Sequence, residues 1–234
     1  MKKERPAVIK PGLFSTEAKA DRKRAEFDSH NEAILYHNTT VDFVFFGDSI
    51  TDWWDLQTYF GQSGKVIVNR GIGGDTTEFA RKRFAADVLQ LKPMNAVIKI
   101  GINNTWALDE WHLEDRKTPG QIQREIVEDL RSMVQASIDH GITTILCSIL
   151  PTCMDILKND GERRQLVVRV NEAIKQLAEE TGAIYVDYHS RMTASDGVTL
   201  RAGLSDDGLH PHVLGYNIMA EVLREELKRH GIEI

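Results

Sequence analysis

Residues 41–50, VDFVFFGDSI, join an apolar run to a glycine, an aspartate and a serine. The run Val41–Phe46 is rich in valine and phenylalanine, which is typical of a strand buried on both faces of a parallel sheet. Four later runs have the same character: KVIV (65–68), AVIKI (96–100), TTILCSIL (143–150) and AIYV (183–186). The pattern therefore predicts five strands, with Gly-Asp-Ser directly at the end of the first.

The segments between these runs have helical periodicity with recognisable ends. Thr118-Pro119-Gly120-Gln121 is a capping-box pattern with proline at the first helical position, and Gly141 stands where this helix should end. A later periodic segment ends before Gly182, and shorter helices are predicted at Trp53–Phe60 and Thr77–Leu89. Alternation of strands and helices predicts a three-layer α/β/α sandwich around a five-stranded parallel sheet.

The N-terminal forty residues carry a weaker pattern than the rest of the chain. We predict a helical extension over residues 1–40 and one domain over residues 41–234. Thr16–Tyr36 is charged with sparse apolar positions, which indicates a solvated helix that packs only weakly on the domain.

Composition excludes several functional classes. The 234 residues are 41% hydrophobic and 27% charged with a net charge of −6, which is ordinary for a globular protein and disfavours nucleic-acid binding. Neither a signal peptide nor a membrane segment is predicted, because Met1-Lys2-Lys3 leads into polar residues and no long apolar stretch follows. The two cysteines, Cys147 and Cys153, fit a reducing compartment, so we expect a cytoplasmic location.

Three loops carry the residues with chemistry. In open parallel sheets, ligands bind beyond the carboxyl ends of the strands, where the strand order reverses. If the order is 2-1-3-4-5, one crevice is lined by Ser49, by the loop NRGIGGD (69–75) and by GINN (101–104). A hydroxyl, a glycine-rich turn with free N–H groups and an asparagine amide indicate a nucleophile with an oxyanion hole.

A serine nucleophile requires a base, which SDDGLHP (205–211) supplies. Asp207 and His210 are three positions apart, so in a helical turn the carboxylate can orient the imidazole. Asp207 has an alternative role as the N-cap of the last helix, with Asp206 beside it.

Four blocks in this order resemble the GDSL/SGNH hydrolases, a family of esterases and acylhydrolases with a flavodoxin-like fold. The blocks are GDSI, NRGIGGDTT, GINN and DGLH, and the resemblance spans roughly residues 41–228. The third block more often reads GxND, and its GxNN form here, with Asn104, is similar to the platelet-activating-factor acetylhydrolase-like branch.

The resemblance implies a role for each matched residue. Ser49 is the nucleophile, His210 is the base and then the acid, and Asp207 stands behind His210. The backbone N–H groups of Ser49 and Gly74 and the side-chain amide of Asn103 form the oxyanion hole.

The implied activity is that of a cofactor-free serine esterase acting on a small-molecule ester. The branch favours acetyl or other short acyl groups, and the tryptophans near the crevice favour a carbohydrate. A long-chain lipase is disfavoured because the sequence shows no lid-like apolar insertion. Because His210 must start neutral, activity should fall on the acid side near about pH 6–7.

Further residues near the crevice are candidates for substrate binding: Asp48, Trp53, Trp54, Asn104 and Trp106. Helix packing explains Trp53 or Trp54 equally well.

Other residues near the crevice favour structural roles. Arg70 is predicted to form a surface salt bridge, and Gly71 and Gly73 to serve backbone geometry alone. The longer loops Thr105–Thr118 and Pro151–Arg163 are predicted to shape specificity.

Two alternatives stay open, namely an acyltransferase with the same triad and a non-catalytic flavodoxin-like binding module. A metal site at His210-Pro211-His212 is rejected because neither HExxH nor CxxC spacing is present. The oligomeric state, a homo-oligomer included, is left open.

Overall fold

The computed structural model describes residues 7, 9, 10 and 21–234, and a five-stranded parallel sheet forms its centre. The strands lie in the order β2-β1-β3-β4-β5, which confirms the predicted order. Their bounds are β1 Phe43–Gly47, β2 Ile67–Gly71, β3 Asn95–Lys99, β4 Thr143–Cys147 and β5 Ile184–Val186. Every strand overlaps its predicted run, with ends displaced by a few residues.

Helices cover both faces of the sheet and confirm the three-layer sandwich. They are α1 Asp21–His37, α2 Ser49–Asp52, α3 Leu56–Phe60, α4 Thr77–Asp87, α5 Pro119–Asp139, α6 Asp160–Thr181, α7 Tyr188–Met192 and α8 Val213–Arg229. Short 3₁₀ turns lie at Gly61–Ser63, Leu89–Leu91, Ile102–Leu108 and Leu113–Asp115. None of the described helices combines the length and apolar character that crossing a bilayer requires.

The alternating side chains of β1 divide between two apolar cores. Val44 and Phe46 pack with residues of α4, α5 and α6 on one face of the sheet. Phe43 and Phe45 pack with α3, α7 and α8 on the other face. Burial on both faces explains why the strand sequences are almost continuously apolar.

Local signals set several helix ends as predicted. Thr118 and Gln121 form the reciprocal capping box of α5, and Gly182 ends α6 in the left-handed conformation. The helix predicted at Trp53–Phe60 is present as α3 and ends at Phe60, but it begins only at Leu56, because Asp55 caps it by accepting from Thr58 N.

Helix α1 packs more firmly than the sequence suggested. Residues 16–20 of the predicted helix lie outside the described residues, and the helix runs over Asp21–His37. Phe27 and Asn31 on this helix are buried, so the expectation of weak packing is wrong. Arg70 is also buried and donates to Asn31, in contrast to the surface salt bridge expected for it.

Candidate active site

Ser49 lies at the junction of β1 and α2, at the carboxyl edge of the sheet. The Asp48 carboxylate accepts a hydrogen bond from Ile50 N at 3.0 Å and so caps α2, which starts at Ser49. Ser49 Oγ lies 2.9 Å from His210 Nε2, which is hydrogen-bond distance for proton transfer. The serine side chain therefore has an adjacent base.

Asp207 holds the other side of the His210 ring. The distance from His210 Nδ1 to Asp207 Oδ2 is 2.6 Å. The second carboxylate oxygen accepts from the backbone N–H groups of Leu209 at 2.9 Å and His210 at 2.7 Å, and from the Ser205 hydroxyl at 3.0 Å. Burial alone would raise the pKa of Asp207, but these hydrogen bonds, first that of His210, hold the pKa well below its ordinary value.

The loop that carries this pair is docked on a neighbouring segment. Gly208 has φ of +78°, and its carbonyl oxygen accepts from Cys153 N at 2.8 Å. A Cβ atom at Gly208 would lie 2.0 Å from the Cys153 carbonyl oxygen, so only glycine fits this contact. The Pro151–Arg163 segment thus contacts the loop that carries His210 and supports it. The role predicted for this segment was to shape substrate specificity.

The glycine-rich turn after β2 runs beside the serine. Gly74 has φ of +76°, and a Cβ atom built on Gly73 would lie 3.9 Å from Ser49 Cβ. A Cβ atom at Gly71 would lie 2.1 Å from Asp52 N, so the turn approaches α2 too closely for any other residue. The prediction that Gly71 serves backbone geometry fits this contact.

Asn103 is oriented by two hydrogen bonds to groups around it. Its Nδ2 donates to the Asp75 carbonyl oxygen at 2.9 Å, and its Oδ1 accepts from Trp106 Nε1 at 3.2 Å. An amide nitrogen has two protons, so Asn103 keeps a second N–H beside the one that the Asp75 carbonyl oxygen accepts. Ser49, the Gly74 turn and Asn103 therefore lie at one edge of the sheet, as the predicted oxyanion hole requires.

A buried arginine that sequence reasoning missed connects the parts of this edge. Arg83 donates to Asp75 at 2.8 Å and Asp87 at 2.7 Å, and its side chain is fully buried. It also donates to the carbonyl oxygens of Gly47 and Arg70, each at 3.0 Å. One guanidinium thus joins the ends of β1 and β2 to the oxyanion turn and to α4.

The charges around Arg83 explain the direction of two pKa shifts. Burial raises the pKa of Asp75, and the nearby guanidinium offsets only part of this effect. Burial would lower the pKa of Arg83, but the two carboxylates of Asp75 and Asp87 raise it overall. Two carboxylates therefore share one cation in the interior.

Asp48 has a structural role, in contrast to the substrate-binding role predicted for it. Its side chain is fully buried, and Lys99 Nζ lies 3.2 Å and 3.3 Å from its two carboxylate oxygens. Burial lowers the pKa of Lys99, and the Asp48 carboxylate opposes this shift in part. Both groups are occupied beneath the site, so Asp48 is unavailable to substrate.

Trp54 is structural, in contrast to the substrate contact predicted for it, whereas Asn104 bonds to a helix start and also lines a cavity beside Asn103. Trp54 is only 3% exposed and stacks on Tyr216 with ring centroids 5.5 Å apart, so it belongs to the core. Asn104 accepts from Thr77 N at 3.1 Å and donates to Thr77 Oγ1 at 2.9 Å, so it fixes the start of α4.

The remaining two tryptophans lie at the site. Trp53 is 59% exposed, and its ring centroid lies 4.2 Å from that of His210 at an interplanar angle of 33°. Trp106 is half-buried and holds Asn103, while the Arg163 guanidinium lies 4.7 Å from its ring centroid. Within the described residues, no group of three or more His, Cys, Asp or Glu side chains is arranged to hold a metal ion.

Comparison with known proteins places this arrangement in context. A family model described as GDSL-like lipase/acylhydrolase matches residues 45–218. An acetylxylan esterase of Geobacillus stearothermophilus is 30% identical over 175 residues, which cover 74% of this chain and 76% of that protein. An uncharacterized lipoprotein of Bacillus subtilis is 35% identical over 52% of this chain and 51% of its own length. The cytoplasmic location stays a prediction.

Solved structures share the fold of this chain, and several of them are variants of one esterase with a catalytic residue replaced. An acetyl-xylooligosaccharide esterase from Geobacillus matches with a TM-score of 0.66 and 26% identity, over 82% of this chain and 95% of that chain. Related structures of the acetylxylan esterase are catalytic mutants in which a serine, an aspartate or a histidine is replaced by alanine.

Proposed function

The chain belongs to the GDSL-like lipase/acylhydrolase family and is a carboxylic ester hydrolase, and we propose that it removes acetyl or other short acyl groups from carbohydrates with Ser49, His210 and Asp207 as its catalytic triad. The observation that carries the proposal is the continuous hydrogen-bond chain from Ser49 Oγ through His210 to Asp207.

The triad geometry supports acyl transfer through a covalent intermediate. Neutral His210 takes the Ser49 proton through Nε2 as Oγ attacks the ester carbonyl carbon. The imidazolium then gives this proton to the leaving alcohol as the acyl–oxygen bond breaks, and water repeats the sequence on the acyl-enzyme. The Asp207 carboxylate, held ionised by its hydrogen bonds, stabilises the imidazolium.

The oxyanion hole supplies the electrostatic part of catalysis. Negative charge develops on the carbonyl oxygen in the tetrahedral intermediate, and the N–H groups of Ser49, Gly74 and Asn103 would receive it. The hydrogen bonds of Asn103 to Asp75 and Trp106 hold the amide before substrate arrives, so little reorganisation is needed.

A cavity next to this hole supports a carbohydrate as the alcohol. It has a volume of about 710 Å³ and is lined by Asn103, the aromatic side chains of Phe79 and Trp106, and acidic side chains that include Glu110 and Glu128. Aromatic rings pack on the apolar faces of sugar rings, and carboxylates accept hydrogen bonds from hydroxyl groups. The same carboxylates disfavour an anionic substrate, and the Geobacillus relative is named an esterase of acetylated xylan and xylooligosaccharides.

The proposal is tested by hydrolysis of p-nitrophenyl acetate, butyrate and octanoate, and by acetate release from acetylated xylooligosaccharides. Ser49→Ala should lower kcat by about 10³-fold or more on every substrate, because the nucleophile is lost. Ser195→Ala, at an exposed serine, is the matched control and should retain full activity. Activity of Ser49→Ala equal to that of the wild type would reject the triad, and faster turnover of octanoate than acetate would reject the short acyl group.

The two alternatives from the sequence predict different products. An acyltransferase would form a new ester when a second alcohol is added, at the expense of free acetate. A binding module would turn over no ester, and Ser49 would resist a fluorophosphonate that labels activated serines.

A further inference from the structure

Helix α1 contacts the oxyanion turn although it lies N-terminal to the segment that the family model matches. Phe27 of α1 and Ile72 of the turn form a separate buried apolar cluster, and they are only 5% and 2% exposed. Ile72 lies between Gly71 and Gly73, so the Phe27 ring supports the turn that leads to the Gly74 N–H.

A polar contact joins the same helix to the strand before the turn. Arg70 Nη2 donates to Asn31 Oδ1 at 2.6 Å, and its guanidinium lies 4.7 Å from the Phe27 ring centroid. Asn31 is fully buried and also donates to the Ala86 carbonyl oxygen at 3.0 Å. A buried amide with both ends bonded fixes α1 against β2 and α4 at once.

An ion pair joins α1 to the helix that carries the nucleophile. Lys23 contacts the carboxylate of Asp52, the last residue of α2. A Cβ atom built on Gly73 would lie 3.9 Å from that carboxylate as well as from Ser49 Cβ. Through Lys23 and Phe27, α1 therefore contacts both the nucleophile helix and the turn beside it.

We infer that α1 is a positioning element for the oxyanion hole. Phe27 and Asn31 hold the Gly71–Asp75 turn against α2. That turn then holds Asn103, whose side-chain amide donates to the Asp75 carbonyl oxygen. This inference rests on the proposed function, because it assigns the turn a role in the reaction. Neither Phe27 nor Asn31 touches the reacting atoms, so both act through the turn.

The test compares two variants that each truncate one buried apolar side chain to alanine. Phe27→Ala should lower kcat for p-nitrophenyl acetate by about 10-fold or more with KM unchanged, because small displacements of reacting groups cost up to about 10²-fold. Leu177→Ala, a fully buried position on α6 that packs far along the sheet, should lower Tm comparably and leave kcat unchanged. Phe27→Leu should restore most of kcat, since an apolar side chain again fills the space over Ile72.

A double-mutant cycle with Asn103→Ala tests whether Phe27 affects kcat through the oxyanion hole. If α1 acts through the oxyanion hole, Phe27→Ala should cost less than about threefold in the Asn103→Ala background, because the two losses overlap. Full additivity, a rise in KM alone, or equal kcat in Phe27→Ala and Leu177→Ala would each overturn the inference. Failure of the proposed function is recognised separately, by undiminished activity of Ser49→Ala.

Discussion

The two halves of the triad are held in different ways. The nucleophile half comprises the end of β1, the oxyanion turn and Arg83, and its charged groups are buried at the sheet edge. The base half is the loop at residues 205–212, where the Asp207 side chain is 54% exposed and is held by hydrogen bonds from its own loop. The core fixes the nucleophile, and a surface loop brings the base to it.

Because of this difference, we expect substitutions in the two halves to differ in how much they change the free energy of unfolding relative to the catalytic rate. Substitutions in the nucleophile half should disturb folding and rate together, because buried charges lose their partners there. Substitutions of the exposed polar side chains in the base half should change rate with little effect on folding, because exposed polar groups contribute little free energy.

The largest effect is expected at Asp207. Asp207→Asn should lower kcat by up to about 10⁴-fold, because an amide can neither hold the imidazole tautomer nor stabilise the imidazolium. The free energy of unfolding should fall by only about 1 kcal/mol, because the 54% exposed carboxylate is screened by solvent and asparagine keeps an oxygen that can accept from Leu209 N and His210 N.

Measurement of kcat with p-nitrophenyl acetate and of urea unfolding checks both parts. Asp206→Asn, at the exposed neighbour, is the control. An equal loss of kcat in the two variants would mean that Asp207 is not the carboxylate that orients His210.

Arg83 tests the other side of the comparison. Arg83→Met should lower the free energy of unfolding by about 3–5 kcal/mol, because the buried carboxylates of Asp75 and Asp87 would lose the hydrogen bonds and the charge of Arg83. Arg81→Met, on the same helix as Arg83, removes only a partly exposed ion pair with Asp129 of α5 and should cost less than about 1 kcal/mol. Urea unfolding of both variants measures the two changes in the free energy of unfolding. Similar losses in the two variants would show that burial of the Arg83 ion pairs does not increase their contribution to stability.

The smallest effect concerns the segment that supports the base, and it depends on pH. Burial alone would raise the pKa of Asp160, but hydrogen bonds from Arg164, Met154 N and Thr152 lower it overall. The unfolded chain therefore binds the proton more readily, so this stabilisation is present above about pH 3.9 and is lost as the pH falls through the lower folded pKa.

Asp160→Asn should accordingly lose about 1–3 kcal/mol at pH 7, with the difference from the wild type shrinking below about pH 4. Urea unfolding at several pH values measures this difference. Asp155→Asn, with a side chain that is 79% exposed, is the control and should lower the free energy of unfolding at pH 7 by less than about 1 kcal/mol. A difference for Asp160→Asn that grows as the pH falls would contradict the sign.

Local patterns were enough to predict the fold and the triad geometry. Apolar runs, the Thr118 capping box and the four blocks are each contained in a few residues, so they were legible before any contact was known. The i, i+3 spacing of Asp207 and His210 likewise predicted their hydrogen bond, but the helical turn expected between them is wrong, because Gly208 has φ of +78° and residues 206–210 form bends.

Errors arose where the partner of a residue lies far away in the chain. Asp48 pairs with Lys99, which stands inside the predicted run AVIKI, and no local signal shows that two charges meet there. Asn104 likewise bonds to Thr77, 27 positions earlier in the chain, and its spacing gives no sign of this partner. Arg83 and Asp87 have the i, i+4 spacing of an ordinary surface pair, so their burial was not predictable from the pattern.

The hydrogen bond between Ser49 and His210 joins residues 161 positions apart in the chain. Contacts of such long sequence separation close late and slowly during folding. The nucleophile leaves the ribosome well before the histidine does, so the growing chain holds an unactivated serine until its last helix can dock. Recovery of esterase activity after dilution from denaturant should therefore lag behind the recovery of helical circular dichroism. Esterase activity then measures the fraction of molecules that have completed folding.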